Sequence, residues 1–560
     1  MVSRILKTLV SPVRGLHQAA YLLAFLTLAS QILALARDRL FAHHFGAGEI
    51  LDLYYAAFKV PDVVFALVAS LVSAYVLIPR LTKASHEEAL RLMSETASFL
   101  LIAGGIICAV LAFFAPQFLF LLFPTFLHSA HASEFVMLAR FLLIQPILLG
   151  LSGILTSVTQ IHRRFTLFAL SPVLYNLGII FGTVVLYPYF GLPGIGMGVV
   201  LGAVLHLAVH IPVVMDAKLL PKPTLPTPRL IWSVMKNSVP RSLALGMSSV
   251  ITLLLISLAS RTSTGGVSVF TLAGNLEAVP LSLIGASYAT AAFPVLAEHF
   301  GKQEFDRFKT TLATAARHII FWSSALIVLT IVLRAYIVRV ILGSGAFDWN
   351  ATRLTAAVLA ILVVALMAQG LILLAARAFY AAQKSWNPLL VQLADCGISV
   401  ASAWLLLKLA ATYPVFRYFI EALFRVGDVP GTNILFIAMG FTVGQLIMGA
   451  VALLTLRTVA PGVAGTLLRP MLEGVGAAIL GGAATYGVLT FMGTLAPLTK
   501  LSTVCIEGGL AGMVGFAVTA SILALLENQE CKDLIEALKK LTSTKALKPH
   551  GALLDERPDA

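Results

Sequence analysis

The stretch from Ser30 to Lys83 reads SQILALARDRLFAHHFGAGEILDLYYAAFKVPDVVFALVASLVSAYVLIPRLTK, and it decides the fold class. Two apolar runs, near 17–45 and 58–80, flank a break at Gly46–Ala47–Gly48. Each run is long enough to supply the roughly 20 residues that cross a hydrocarbon core. Backbone groups in lipid must be hydrogen-bonded within their own segment, so each run is predicted to be a helix. Lipid-facing strands would need alternating segments of about ten residues, and these runs are too long and too uniformly apolar. Glycine commonly ends helices. The first helix is therefore expected to continue through Ala36–Arg37–Asp38 to the glycine stop, which puts Arg37 inside the membrane rather than in a loop.

The same pattern recurs along all 560 residues. The chain is 59% hydrophobic and 12% charged, with mean hydropathy +0.93; an average soluble domain is about 25% charged. Such a chain could not cover its own surface with polar groups, which excludes a water-soluble enzyme, a disordered chain and a nucleic-acid-binding module. Fourteen spans are predicted: 17–45, 58–80, 96–123, 135–159, 167–188, 193–215, 231–259, 268–297, 315–342, 354–380, 386–411, 432–456, 470–494 and 502–526. The first is read as a retained transmembrane helix, because the basic N-terminus and apolar stretch lack a convincing cleavage site. With the N-terminus placed in the cytoplasm, and residues towards the ends of spans counted with the adjacent side, 26 of the 39 Lys and Arg fall on that side and 11 on the other, with Arg140 and Arg241 assigned to neither. This bias puts both termini in the cytoplasm. Residues 528–560 are read as a basic cytoplasmic tail that starts as a short surface helix.

Two landmarks repeat. Val60–Pro61 on the second span, which ends at Pro79–Arg80–Leu81, matches Val279–Pro280 on the eighth, which ends at Pro294–Val295–Leu296. A basic loop and Pro172 opening the fifth span match Lys384 and Pro388 opening the eleventh. The offsets are 219 and 216 residues. A shift of six helices is even, so the halves are parallel repeats, and such halves enclose a substrate site and rock in alternation. The expected organisation is a six-helix lobe at 1–222, a second at 223–460, two further transmembrane helices at 461–527 and the tail.

Catalytic patterns do not fit. His86–Glu87–Glu88 lacks the second His of a zinc helix, and there is no Walker A sequence. The outer loop near 412–431 holds Glu421 and Asp428 without catalytic spacing. Cys108, Cys396, Cys505 and Cys531 are too scattered for metal-binding pairs. Gly194, Gly198 and Gly202 form a small-residue stripe, which points to close helix packing. His43–His44 reads either as a solvated loop pair or as a proton-linked pair. No metal and no enzymatic activity are expected.

The segment 30–83 resembles the start of the MurJ/MviN family, lipid II flippases of the MOP exporter superfamily. The matching pieces are Ala36–Arg37–Asp38, Phe45–Gly46–Ala47–Gly48, Asp52–Leu53–Tyr54–Tyr55 and Ala57–Phe58–Lys59–Val60–Pro61. Further matches are Phe165, Ala169, Pro172 and Asn176; Asn275–Leu276–Glu277–Ala278–Val279–Pro280 leading to Phe293–Pro294; Gly345–Ala346–Phe347–Asp348; and Ala376–Arg377–Ala378–Phe379–Tyr380–Ala381. The resemblance covers about residues 20–460.

It implies an undecaprenyl-pyrophosphate-linked disaccharide peptide, a peptidoglycan precursor, moved from the inner to the outer leaflet of a bacterial inner membrane in cell wall biogenesis. Other cell-wall synthesis proteins are then expected partners. A different lipid-linked oligosaccharide carried by a related MOP exporter is the alternative. Pyrophosphate cannot cross hydrocarbon unaided, and arginine suits it because its planar fork binds phosphate in bidentate fashion. Arg37 matches a cavity arginine of the family and Asp52 a functionally important acid, and the resemblance implies that both bind substrate; a snorkelling interfacial residue is the other reading of Arg37. This chain departs from the family at Gln31, Phe65, Ala66, Ser70 and Gly274–Asn275, where charged residues are expected. Arg261 and Arg377 are therefore candidates to bind the pyrophosphate. Asp395, deep in the eleventh span, is a candidate sodium or proton site, or a polar residue bonded to a neighbouring helix. Transport is expected to draw on a sodium or proton gradient or on the membrane potential.

Overall fold

The computed structural model describes residues 16–72, 74–236, 238–493 and 501–534. Every regular element among them is helical. The first is α1 (Leu16–Phe45). Thirteen more helices are long and apolar enough to span a membrane: α2 (Glu49–Leu81), α3 (His86–Phe113), α4 (Ala132–Ile161), α5 (Phe165–Phe190), α6 (Leu192–Asp216), α7 (Val239–Ser260), α8 (Gly266–Gly301), α9 (Phe305–Ile341), α10 (Trp349–Ala381), α11 (Trp386–Thr412), α12 (Ile434–Thr458), α13 (Val463–Gly493) and α14 (Leu501–Leu525). Each of these fourteen overlaps one of the fourteen spans expected from hydropathy, but α2 begins at Glu49 rather than near 58, and α3 runs over His86–Phe113 rather than 96–123. Large apolar side chains such as Phe113, at 73% exposure, face outward from the bundle, as a lipid-facing surface requires. The expected tail lies outside the described residues beyond position 534.

Local sequence sets the helix boundaries. Ser85 caps α3 with a reciprocal box: its hydroxyl accepts from the Glu88 N–H, and the Glu88 carboxylate accepts from the Ser85 N–H at 2.9 Å. Asp348 caps α10 by accepting from the Ala351 N–H at 2.7 Å. Arg353, in the first turns of α10, also grips Asp428 of the α11–α12 connection at 2.6 Å and holds that carboxyl below the usual carboxylate range. Glu421, from the same connection, is tied to Arg417 and Thr432, a structural use of the acids noted in that loop.

Packing repeats with a shift of six helices. α1 packs on α5 as α7 does on α11; α4 packs on α6 as α10 does on α12; α2 packs on α4 as α8 does on α10. Within each set one pair is drawn together by glycine. A methyl group on Gly178 of α5 would lie 2.3 Å from the Cα of Gly202 on α6, and one on Gly198 would lie 2.4 Å from the Cα of Gly182. The counterpart is α11–α12, where a methyl on Gly440 would lie 2.2 Å from the Cα of Ala403. The stripe Gly194–Gly198–Gly202 is thus a packing surface, as expected. Gly198→Ala should lower the unfolding midpoint in detergent by the equivalent of about 1–3 kcal/mol, the usual cost of overpacking. An unchanged midpoint would mean that α5 and α6 move apart freely.

Between the sets, α2 packs along α7, whereas α1 meets α8 over a shorter stretch. The added helices α13 and α14 pack on each other and on the 37-residue α9. The bundle therefore has a basic end, carrying the loops around Lys83, Arg163 and Lys218, and a far end, where the Gly46–Gly48 turn lies.

Candidate functional site

Polar side chains are expensive in the middle of apolar helices, so those found there mark the site. Three helices, α1, α5 and α8, contribute to the central network. Arg37 on α1 donates through Nε and Nη2 to Asp38 Oδ1 at 3.1 and 2.9 Å, and through Nη1 to Asn176 Oδ1 on α5 at 3.0 Å. A guanidinium has five N–H groups, so two remain uncommitted. Asp38 is 3% exposed, and its Oδ2 accepts from Asn275 Nδ2 on α8 at 2.9 Å. Asn275, a departure from the family's charged pattern, therefore completes the bonding of Asp38 and ties the two helix sets together. The 5.9 Å approach of Arg37 to the Phe41 ring adds a cation–π contact.

Beside this network lies a cavity of about 200 Å³ lined by Lys59, Asn275 and Glu277 among others. Lys59 pairs with Asp62 at 3.4 Å on the next turn of α2. Glu277 is buried and accepts from Gln369 Nε2 of α10 at 2.7 Å. At the centre, two cations (Arg37 and Lys59) thus stand among three carboxylates (Asp38, Asp62 and Glu277). Glu277 and Gln369 were not singled out by the sequence reading. Their signal was present, since a carboxylate and an amide deep in otherwise apolar helices seldom face lipid.

Asp52 lies elsewhere. It sits in the first turn of α2 and is 1% exposed. Its Oδ2 accepts from the Gly265 N–H at 2.6 Å, and its Oδ1 accepts from the Ser268 N–H at 2.7 Å and the Ser268 hydroxyl at 2.5 Å. Those N–H groups open α8, so the carboxylate occupies the positive end of that helix. Asp52 therefore does not join the Arg37 group: both its oxygens are engaged in closing the far end. The closure is extensive. Gly46, Gly265 and Gly345 adopt positive φ of 61°, 86° and 59°. A methyl group on them would meet the backbone oxygens of Ala346, Ala47 and His43 respectively, so only glycine allows these turns to touch. Ala346 N–H donates to His43 O at 2.9 Å, and Thr125 donates to Ser260 O at 2.9 Å. Arg39 satisfies the last carbonyls of α9 at Val340 and Ile341.

The remaining sequence candidates are scattered. Arg261 is exposed at the far end of α7, away from the cavity, because the helix ends there. Arg377 lies near the basic end of α10, 5.8 Å over the Phe293 ring, in a separate cavity shared with Arg241. Asp395 is 3% exposed, and its two oxygens accept from Ser399 at 2.7 Å and from Gln445 on α12 at 2.8 Å. That is the arrangement of a polar tie between α11 and α12. His43 and His44 are exposed at the far end.

A family model described as lipid II flippase MurJ matches residues 41–504. The chain belongs to this family. Lipid II flippase MurJ of Burkholderia cenocepacia is 23% identical over 387 residues, 67% of this chain and 75% of that protein. Probable lipid II flippase MurJ of Borreliella burgdorferi is 25% identical over 344 residues, 60% of this chain and 66% of that protein. A solved MurJ structure in an inward closed conformation superposes with a TM-score of 0.71 at 18% identity, covering 92% of this chain and 100% of that one. An inward-facing multidrug resistance MATE transporter of the MOP superfamily superposes at 0.61 with 16% identity, covering 78% and 97%. The MurJ family match favours lipid II flippases over the other MOP exporters considered from sequence. The glycine turns at Gly46 and Gly345, which carried part of the MurJ resemblance, prove to be two faces of one closure.

Proposed function

We propose that this chain carries an undecaprenyl-pyrophosphate-linked peptidoglycan precursor from the inner to the outer leaflet of a bacterial inner membrane, without catalysing a covalent step. The lobes 1–222 and 223–460 are the moving parts, the basic end and both termini face the cytoplasm, and the far end opens to release substrate. The observation that carries this reading is the Arg37 network. A guanidinium in the membrane interior is oriented by Asp38 and Asn176, keeps two N–H groups for a ligand, and bridges through Asp38 to α8. Alternating access needs such a group where both helix sets reach it. The test is complementation of a flippase-depleted bacterium, read as appearance of the lipid-linked precursor on the outer leaflet. Normal membrane levels without rescue would sink the assignment.

Coupling to a sodium or proton gradient, or to the membrane potential, completes the cycle. Asp395 supports a structural use rather than a coupling site, because both its oxygens are engaged by Ser399 and Gln445. Asp395→Asn is expected to leave the sodium and pH dependence of transport unchanged while reducing stability modestly. A shifted ion dependence at normal expression would move Asp395 into the coupling machinery.

A further inference from the structure

A cavity of about 390 Å³ opens on the flank of the second helix set, toward its far end. It is lined by α9, α10, α12 and the connecting helix Pro414–Phe424 between α11 and α12. All four belong to the lobe 223–460, so the cavity does not lie between the two lobes, and it shares no residue with the central one. Its walls are apolar apart from Arg334 and Thr442. Thr442 spends its hydroxyl on the Ile361 carbonyl at 3.0 Å. Arg334 stands seven residues before the end of α9, which places it about 10 Å in at a rise of about 1.5 Å per residue. Its Nη1 donates to the Ile331 carbonyl of its own helix at 2.7 Å. A guanidinium has five N–H groups, so most of these donors stay uncommitted. Arg425, which ends the connecting helix in a left-handed turn, lies within electrostatic reach of Arg334, and its guanidinium has no hydrogen-bond partner among the described residues. The nearby acids are engaged elsewhere. Asp428 accepts on both oxygens from Arg353, at 2.7 and 2.6 Å, and Glu421 is tied to Arg417 and Thr432. Two like charges beside an apolar wall are costly, and an anion between them offsets that cost. The surroundings are those of a lipid. Val364, Val443 and Leu423 at the rim are exposed. Val415, Tyr418, Phe419 and Leu423 form one exposed apolar stripe along the connecting helix, at the spacing of a helix that lies in a membrane interface.

We propose that Arg334 and Arg425 hold the phosphate of an anionic phospholipid from the leaflet at the far end, with its acyl chain laid along Val364 and Val443. An occupant with both a phosphate and a hydrocarbon chain matches the two guanidinium groups and the apolar walls at once. A zwitterionic lipid brings an ammonium to the same place and loses part of that gain. The lipid-linked cargo fits less well, because the cavity faces the bilayer outside one lobe rather than the space between lobes. Bound there, the lipid joins α9 to the α11–α12 connection that Arg353 and Asp428 also hold. The site goes beyond the flippase reading and does not depend on it.

The experiment places the full chain in phosphatidylcholine nanodiscs with a trace of phosphatidylglycerol that carries a photoreactive group on its acyl chain. Crosslinks should concentrate on Val364, Val443 and their neighbours. A phosphatidylcholine photoprobe with the same chains should label them far less, a comparison that needs no variant. The Arg334→Gln/Arg425→Gln pair should lower the apparent affinity for the phosphatidylglycerol probe about ten- to a hundredfold. Arg334→Lys/Arg425→Lys keeps both charges without the forks and should retain part of the preference. Excess inorganic phosphate should leave the labelling in place. Equal labelling by the two lipids in the unaltered chain would overturn the inference, as would unchanged labelling of the Gln pair at an unchanged unfolding midpoint. Full displacement by inorganic phosphate would also overturn it, since the site would then take a bare anion. Stronger labelling by a polyprenyl pyrophosphate photoprobe would assign the cavity to the cargo and overturn the resident phospholipid.

Discussion

Arg37→Ala should lower transport about ten- to a hundredfold at normal membrane levels, and Arg37→Lys should lower it less. The bonds to Asp38 and Asn176 fix the guanidinium plane, and its two remaining N–H groups are free for a pyrophosphate oxygen. A charged hydrogen bond contributes about 1.5–3 kcal/mol, which sets the range. Lysine keeps the charge and loses the fork. Alanine has a second consequence, because it leaves Asp38 a buried carboxylate with Asn275 as its remaining partner. Asp38→Asn in the Arg37→Ala background therefore separates the two effects. If the double variant regains normal transport, Arg37 serves only to neutralise Asp38. If transport stays low while stability recovers, the guanidinium acts on substrate. The readout is outer-leaflet appearance of the lipid-linked precursor.

Asp52→Ala should open the far end. The carboxylate accepts three hydrogen bonds from the first turn of α8, two of them from backbone N–H groups that have no other partner there. At about 1.5–3 kcal/mol each, their loss is comparable to the ~5.5 kcal/mol that converts a 99:1 population into 1:99. Val267, wholly buried beside the clamp, is a suitable reporter. Val267→Cys should resist a membrane-impermeant maleimide in the otherwise unaltered chain and react readily when Asp52→Ala is added. Ser268→Ala, which removes one of the three bonds, should give labelling nearer the closed state. Equal labelling with and without Asp52 would show that the glycine turns alone hold the end shut. Transport should fall in Asp52→Ala, since a chain that cannot close its far end cannot receive substrate from the basic end.

Helix number and course were legible from the sequence, because spanning segments answer to one local requirement. Every peptide group must be bonded within its own helix, and about 20 apolar residues must follow one another. Gly46 marks a boundary by chemistry that acts over a single turn, whereas the start of α3 at the Ser85–Glu88 box, ten residues before the expected 96, was missed because that first stretch is polar. The repeat was also visible, since Pro61 and Pro280 impose the same local constraint in each half. The stripe Gly194–Gly198–Gly202 was read correctly as packing, because its period is that of the helix itself.

The partners of the charged residues were not legible. Arg37 and Asp52 looked like two members of one site, fifteen positions apart. Yet 139 positions separate Arg37 from Asn176, and 213 separate Asp52 from Gly265. No periodicity in a sequence encodes contacts made across a bundle. Whether a buried charge serves a ligand or a neighbouring backbone depends on which donors the fold brings within 3 Å of it. By itself the sequence determined that this chain is a fourteen-helix membrane bundle of repeated halves with an arginine inside it. The tertiary structure alone decided that Arg37 faces the centre, that Asp52 is a clamp, and that Arg241 shares a cavity with Arg377, because electrostatic partners are chosen by distance in space and not by distance along the chain.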